Sequence, residues 1–259
     1  MSESIVLCDI EGGVATVTLN RPSRRNALSP ELLDALMATF TELKANPEAR
    51  VIVLTGAGDK AFCAGGDLGS QVGSGLLTLH NNRDAFCELF RVMFRLGKPI
   101  IARVQGACLG GGLGLMLACD LAVASDRATF GTPEIKVGLF PMMIMTLIFR
   151  NIGRKKAMEM MLTGKRIDGA EADRIGLINA VVPAGELDEA VAAMAGTVAS
   201  YSPAVLQLGR DAVYQTMDMP IDDGLQYLRS QLTINTLLED AAEGIGAFLG
   251  KRPPEWKGR

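Results

Sequence analysis

The residues best suited by type and spacing to do chemistry in this 259-residue chain lie in two glycine-rich turns. Phe62-Cys63-Ala64-Gly65-Gly66-Asp67-Leu68 follows the β-forming run Val51-Ile52-Val53-Leu54-Thr55-Gly56. Gly106-Ala107-Cys108-Leu109-Gly110-Gly111-Gly112 follows Pro99-Ile100-Ile101-Ala102-Arg103-Val104. A strand that breaks at glycines and opens into a helix leaves backbone N–H groups unpaired and pointing outward, where they hold a phosphate or a developing oxyanion. Glycine lets a ligand approach the backbone closely and tolerates positive φ. Either cluster alone reads as a tight turn. Two of them, each after a strand, point to two halves of one anion-stabilising site. A dinucleotide fold fits less well, because no acidic residue ends a second strand about 20 residues after Gly106, and Asp120 comes too early.

Other chemistries find little support. The five cysteines, Cys8, Cys63, Cys87, Cys108 and Cys119, are an odd number without metal-type spacing and read as buried thiols in a reducing compartment. A single histidine, His80, argues against zinc, and no G-x-S-x-G turn presents a serine for it to activate. His80 reads as a partly exposed structural residue near a loop-to-helix junction. A net charge of −3 argues against a nucleic-acid footprint. No charged leader with an apolar stretch begins the chain and no 18-residue apolar segment occurs. Neither export nor membrane spanning is expected, and a cytoplasmic location is.

The elements that must position the turns emerge from periodicity. Residues 4–10 and 14–19 alternate as a hairpin around Glu11-Gly12-Gly13. Ser29 and Pro30 read as N-cap and first position of a helix whose Leu32, Leu33, Leu36, Phe40 and Leu43 share one face. A strand over 51–54, a helix over 82–96, a strand over 99–105, a helix from about 110 and a strand over 119–124 are expected next. This strand–strand–helix order predicts an α/β core with right-handed crossovers. From Pro203 onward the pattern is helical, with Val205, Leu208, Val213, Leu225, Leu228, Leu232, Ile234 and Leu238 apolar. Those helices must pack on the core or on another subunit.

With the two turns in view, the chain resembles the enoyl-CoA hydratase/isomerase, or crotonase, family over nearly its whole length. Besides the turns, the resemblance is carried by Leu19-Asn20-Arg21-Pro22 with Asn26-Ala27-Leu28, and by Cys119-Asp120-Leu121-Ala122-Val123-Ala124. Phe130-Gly131-Thr132-Pro133-Glu134, Leu162-Thr163-Gly164, Ala170-Glu171-Ala172, Gly176-Leu177-Ile178 and Ala247-Phe248-Leu249-Gly250-Lys251-Arg252 extend it. It implies a spiral of ββα units over residues 1–198 that binds acyl-CoA. It also implies a C-terminal helical segment over 199–259 that supports a homotrimer or a dimer of trimers.

The resemblance further implies which residues act. The backbone N–H groups of Gly66 and Gly111 would hold the oxygen of a CoA thioester as it becomes an enolate, and Glu134 would move the proton. On its own Glu134 reads as a surface glutamate. Arg24 and Arg25 would meet the nucleotide phosphates, although both also read as solvated loop residues. Ala27, Ala64, Gly65, Gly66, Asp67 and Leu68 would line the adenine and pantetheine path, mainly through backbone. Asp67 itself reads as a cap for a following helix. No metal and no cofactor beyond the CoA of the substrate are implied.

Two departures from the family pattern bear on the reaction. Hydratases with two catalytic glutamates carry the second one two residues after the triple glycine, where this chain has Gly114. Met142, Met143 and Met145 stand where many hydratases have a glycine-rich helix start. They read either as core filling or as an apolar acyl pocket that admits little water. The expectation is an enzyme on an unsaturated acyl-CoA, with one glutamate performing double-bond isomerisation or a modified hydration. The alternatives are a catalytically silent acyl-CoA-binding or scaffold protein, and a decarboxylase or hydrolase variant.

Overall fold

The computed structural model describes residues 4–67 and 75–259. The chain begins with a hairpin of β1 (Val6–Glu11) and β2 (Val14–Leu19), antiparallel from Val6 opposite Leu19 to Glu11 opposite Val14. Helix α1 (Pro30–Ala45) follows, and the Ser29 hydroxyl accepts from the Leu32 N–H at 3.4 Å. Proline at the first position sacrifices no intrahelical bond. The stripe Leu32, Leu33, Leu36, Phe40 and Leu43 is buried, as its helical spacing requires.

The chain then alternates between two sheets. β3 (Val51–Gly56) leads to β4 (Ala61–Cys63) and α2 (Leu76–Phe94). β5 (Ile100–Val104) leads to β6 (Ala107–Leu109) and α3 (Gly111–Leu117), and β7 (Leu121–Ser125) leads to β8 (Thr129–Gly131). After α4 (Met145–Asn151) and α5 (Arg154–Thr163) come β9 (Ile167–Asp168), α6 (Gly169–Arg174), β10 (Ala180–Val182) and α7 (Leu187–Ala199). One sheet runs β1-β2-β3-β5-β7-β10 and is parallel from β2 onward. The other runs β4-β6-β8-β9, with β4, β6 and β8 parallel. The strand pairs β3-β4, β5-β6 and β7-β8 thus each contribute one strand to each sheet, the expected spiral, whereas β1 and β2 both join the larger sheet.

Period-2 alternation divides the larger sheet's residues between two cores. Ile52, Leu54, Ile100 and Ala102 join the main core, whereas Val51, Val53, Ile101 and Val123 pack with Leu187, Val191 and Ala195 of α7. A strand covered on both faces must be apolar throughout, which is why residues 51–54 show no alternation.

The structure corrects several expectations. The helix expected at 82–96 starts six residues earlier, at Leu76; Leu76 and Leu77 are exposed, so no buried stripe announces its first turn. His80 lies inside that helix, in its second turn, and is exposed. The second turn motif contains a strand, β6, where only a glycine turn was expected. Not all thiols are buried: Cys8 is exposed on the edge strand β1 and Cys87 is half-buried. Among the described residues no single helix is long and apolar enough to cross a membrane.

Three helices end the chain: α8 (Pro203–Thr216), α9 (Ile221–Leu237) and α10 (Glu239–Leu249). A buried polar cluster fastens α8 to the core. Arg210 Nε donates to both Asp120 oxygens, at 3.0 and 2.9 Å, and its terminal nitrogens donate to the Phe94 and Met93 carbonyls. Asp120 also accepts from the Tyr214 hydroxyl at 2.8 Å and the Ile100 N–H at 2.7 Å. Removing one member of a buried pair strands the other's charge. Arg210→Met is therefore expected to lower unfolding free energy by about 3 kcal/mol, measured by urea denaturation with the m-value unchanged.

Candidate active site

Parallel pairing of three short strands assembles the site. β4, β6 and β8 run in one direction, with Cys63 opposite Cys108 and Leu109 opposite Gly131. Their carboxyl ends therefore open on one edge. Just past those ends lie Gly65-Gly66, Gly110-Gly111 and Thr132-Pro133-Glu134, three segments separated in sequence. Ligands of parallel sheets bind in the crevice outside such strand ends.

The two glycine segments are in direct backbone contact. A Cβ on Gly65, whose φ is +99°, would lie 2.9 Å from the Leu109 carbonyl oxygen and 3.4 Å from the Gly111 nitrogen. A Cβ on Gly111 would lie 3.6 Å from the Gly66 nitrogen. Gly111 is the first residue of α3, so its N–H has no intrahelical acceptor. Neither it nor the Gly66 N–H donates to a loop or turn carbonyl among the described residues. Two backbone donors on adjoining segments are an arrangement that can stabilise negative charge on a single oxygen.

Glu134 stands over the same helix start. It belongs to a tight 3-10 turn, Pro133–Val137, directly after β8. A Cβ on Gly110 would fall 2.7 Å from Glu134 Oε1, so only glycine leaves room for the carboxylate there; Gly110 also has φ +53° and ψ −126°. Glu134 Oε2 is buried without a hydrogen-bond partner. Burial pushes the Glu134 pKa above its usual value, and a hydrogen bond from its own backbone N–H offsets part of that rise. An unpaired, partly desolvated carboxylate near an anion site is suited to proton transfer.

The first glycine turn is braced by a loop that sequence reasoning credited with less. Leu28 pairs with Gly66: the Leu28 N–H donates to the Gly65 carbonyl and the Asp67 N–H donates to the Leu28 carbonyl, both at 2.8 Å. Buried Asn26, at φ +56°, donates to the Ala57 and Ala61 carbonyls and accepts from the Arg21 N–H. Arg21 donates to the Ala27 carbonyl and to the Asp67 carboxylate. Asp67 is thus held by Arg21, and the helix it was expected to cap falls outside the described residues, as does Leu68. Arg24 and Arg25 are exposed beside this loop, and neither forms an ion pair with another described residue. Ala27 and Ala64 are half-buried, and the Ala64 N–H donates to the Arg25 carbonyl.

The wall beyond the two donors is apolar. Gly111 faces Leu28 and Phe86, and Gly114, one turn further along α3, faces Ile144 and Phe90. A Cβ on Gly114 would lie 2.2 Å from Ile144 Cγ2 and 3.2 Å from Phe90 Cζ. The position of the missing carboxylate is therefore filled by a buried isoleucine from a distant segment. Met143 and Met145 pack against the main core, while Met142 is exposed. Asn26, Arg21 and Ile144 were missed because their partners lie far off in sequence. Two hollows, of about 390 Å³ beside Lys156 and Arg166 and about 1200 Å³ beside Asp120 and Arg210, include none of Gly66, Gly111 and Glu134.

Comparisons with known proteins agree with this architecture. Residues 9–259 match the enoyl-CoA hydratase/isomerase family profile. A protein of Mycobacterium bovis named probable enoyl-CoA hydratase is 36% identical over 264 residues, with 100% of each chain covered. The 2,3-dehydroadipyl-CoA hydratase of Escherichia coli is 36% identical over 261 residues, again with full coverage of both. The crystal structure of an enoyl-CoA hydratase from Mycobacterium smegmatis superposes with a TM-score of 0.95 at 36% identity, covering 98% of this chain and 99% of that one.

The state of Glu134 has a consequence for stability. Its folded-state pKa is raised, so ionisation opposes folding; the penalty is complete above the folded pKa and disappears below the unfolded one. Glu134→Gln is expected to raise the thermal midpoint at pH 7. The gain over the parent protein should fade as the pH is lowered through the carboxylate range, followed by differential scanning calorimetry from pH 7 to pH 4.

Proposed function

The chain belongs to the enoyl-CoA hydratase/isomerase family, and we propose that it shifts the double bond of an unsaturated acyl-CoA thioester through an enolate. The Gly66 and Gly111 N–H groups hold the thioester oxygen, and Glu134 is the one group that moves protons. Glu134 takes a proton from the α-carbon of a 3-enoyl thioester, and the electron pair delocalises onto the oxygen held by the two donors. The same carboxyl then returns the proton to the γ-carbon, leaving the 2-enoyl thioester. The observation that carries this reading is the single carboxylate, its Oε2 buried without a hydrogen-bond partner, beside two backbone donors that bond no loop or turn carbonyl among the described residues, with Ile144 against Gly114. One oxyanion donor is worth about 2.7–4 kcal/mol in comparable sites, so the pair supplies a large share of the barrier reduction.

Hydration is the second reading, favoured by the names of the relatives. It requires Glu134 alone to activate and place a water next to Leu28, Phe86, Phe90 and Ile144. Arg24 and Arg25, exposed and without an ion pair among the described residues, support an electrostatic contact with the CoA phosphates. Ala27, Ala64, Gly65 and Asp67, next to that loop, support the pantetheine path. The exposed apolar residues Leu225, Leu228 and Leu232 of α9 support assembly of residues 199–259 into a trimer or a dimer of trimers around the 1–198 core. Free thiols support a reducing, cytoplasmic setting.

Proton NMR in deuterated water with a short 3-enoyl-CoA and a short 2-enoyl-CoA separates the two readings. Migration of the double bond with no hydroxyl product is expected; a 3-hydroxyacyl signal as the main product overturns isomerisation. Glu134→Gln should lower turnover by about 10²–10⁴-fold with thioester affinity nearly unchanged. The acid limb of kcat/KM should lie above the ordinary glutamate range, because burial raises the pKa of the base. Gly114→Glu alone should collide with Ile144 and destabilise the fold by about 1–3 kcal/mol, measured by thermal melting. Gly114→Glu combined with Ile144→Ala should recover that stability.

A further inference from the structure

Gln105 occupies a position that the reaction proposed above does not use and that joins the two halves of the site. It lies between β5 and β6, five residues before Gly110, and is 8% exposed. Its amide nitrogen donates to the Gly56 carbonyl at 2.6 Å, the Gly58 carbonyl at 3.1 Å and the Ala61 carbonyl at 2.9 Å. Those three acceptors fix the orientation of the amide, whose oxygen lies 3.3 Å from the Thr55 hydroxyl, a group that also bonds the Arg103 carbonyl at 3.0 Å. The three carbonyls lie at the end of β3, in the loop after it and at the start of β4, and the chain leaving β4 reaches Gly65-Gly66. The chain after Gln105 becomes β6, which ends at Gly110-Gly111. One buried amide thus spans the segments that deliver the two donors.

Gln105 adds a side-chain tie to the backbone pairing of β4 with β6. A Cβ on Gly106 would fall 2.6 Å from the Lys60 carbonyl oxygen, and the Ala107 N–H donates to that oxygen at 3.0 Å. The two segments touch through backbone alone. Ala61 accepts from both Gln105 and Asn26, and Asn26 leads into the Leu28 pairing with Gly65 and Asp67. The hydrogen-bonded path runs from the root of the Gly111 turn, through Gln105, to the root of the Gly66 turn.

We propose that Gln105 is a positioning residue that sets the separation and direction of the Gly66 and Gly111 N–H groups relative to each other. The inference rests on those two groups holding the thioester oxygen. Its effect falls on charge developing at that oxygen and hardly on the binding of CoA, whose proposed contacts lie on the Arg24-Arg25 loop. A misplacement of about 1 Å at a reacting centre lowers rates by as much as 10²-fold.

The test uses Gln105→Met, which keeps the length of the side chain and removes its polar atoms, and Thr55→Val, which leaves Gln105 in place and removes the hydroxyl beside its amide oxygen together with that hydroxyl's bonds to Arg103. Butyryl-CoA with a ¹³C thioester carbonyl is bound to each protein, and isotope-edited infrared spectroscopy reads the carbonyl stretch. Wild-type protein should shift the stretch to lower frequency. Gln105→Met should show a clearly smaller shift and at least about tenfold lower kcat on the substrate, with butyryl-CoA affinity within threefold. Thr55→Val should show the same changes in smaller degree, and it serves in place of Gln105→Met if that variant does not fold. A thermal midpoint lowered in both folded variants with the full wild-type shift and kcat retained overturns the positioning role. No downshift in the wild-type protein overturns the reading of the donor pair, and the proposal with it.

Discussion

The structure depends on the close backbone approach of β4 to β6. No side chain separates them at their ends: a Cβ on Gly112 would sit 2.2 Å from the Cys63 carbonyl oxygen, and one on Gly65 would sit 2.9 Å from that of Leu109. Residues with a Cβ at these positions would push the strands apart, and the free N–H groups would no longer adjoin. The ladder from β6 to β8 then brings Glu134 to the same edge, because Gly110 donates to the Gly131 carbonyl at 2.9 Å. One packing constraint therefore determines the placement of two donors and one carboxylate. The hydrophobic cores on the two faces of the larger sheet hold the scaffold stiff enough for that placement to persist.

The site's electrostatics run against stability. A buried carboxylate oxygen without a partner is costly, and nothing in the described residues neutralises it. By contrast Asp120, half-buried under α8, receives three donors. The contrast between a saturated Asp120 and a Glu134 with an unsatisfied oxygen sets a structural carboxylate apart from the one proposed to move protons. Cys63 and Cys108, on neighbouring strands beside the site, are held as thiols by burial, Cys63 with its pKa pushed up to about 12. They contribute volume and no reactivity.

Much of this was legible in the sequence where the signal is local. Ser29-Pro30 marked a helix start, the 3.6-residue stripe from Leu32 to Leu43 marked its buried face, and both glycine turns were visible as breaks after apolar runs. The second sheet was not legible, because three-residue strands such as Ala61–Cys63 and Thr129–Gly131 are too short to show a period. The early start of α2 was hidden for the opposite reason: its first turn faces solvent. The candidate site was legible as separate segments, through resemblance in the case of Glu134. The bracing by Arg21, Asn26 and Gln105 was not, since each of these side chains reaches partners up to about 50 residues away, and hydrogen bonds of that span leave no trace in local patterning.

The pairing of Gly114 with Ile144 shows how such long-range contacts bear on chemistry. An absent side chain at Gly114 could by itself signify an open space for water. The structure closes it, because Ile144 and Phe90 reach the α-carbon and leave no room for even a methyl group. Water placed beside the β-carbon of a bound thioester would face Leu28, Phe86 and Ile144, none of which offers a hydrogen bond. A water so placed is stable only with two or more polar partners, and Glu134 is one group. A proton carried by Glu134 between two carbons of the substrate needs no such water. On the proposed reading the apolar wall disfavours addition more strongly than allylic transfer, and that difference is a property of two contacts that neither residue displays alone.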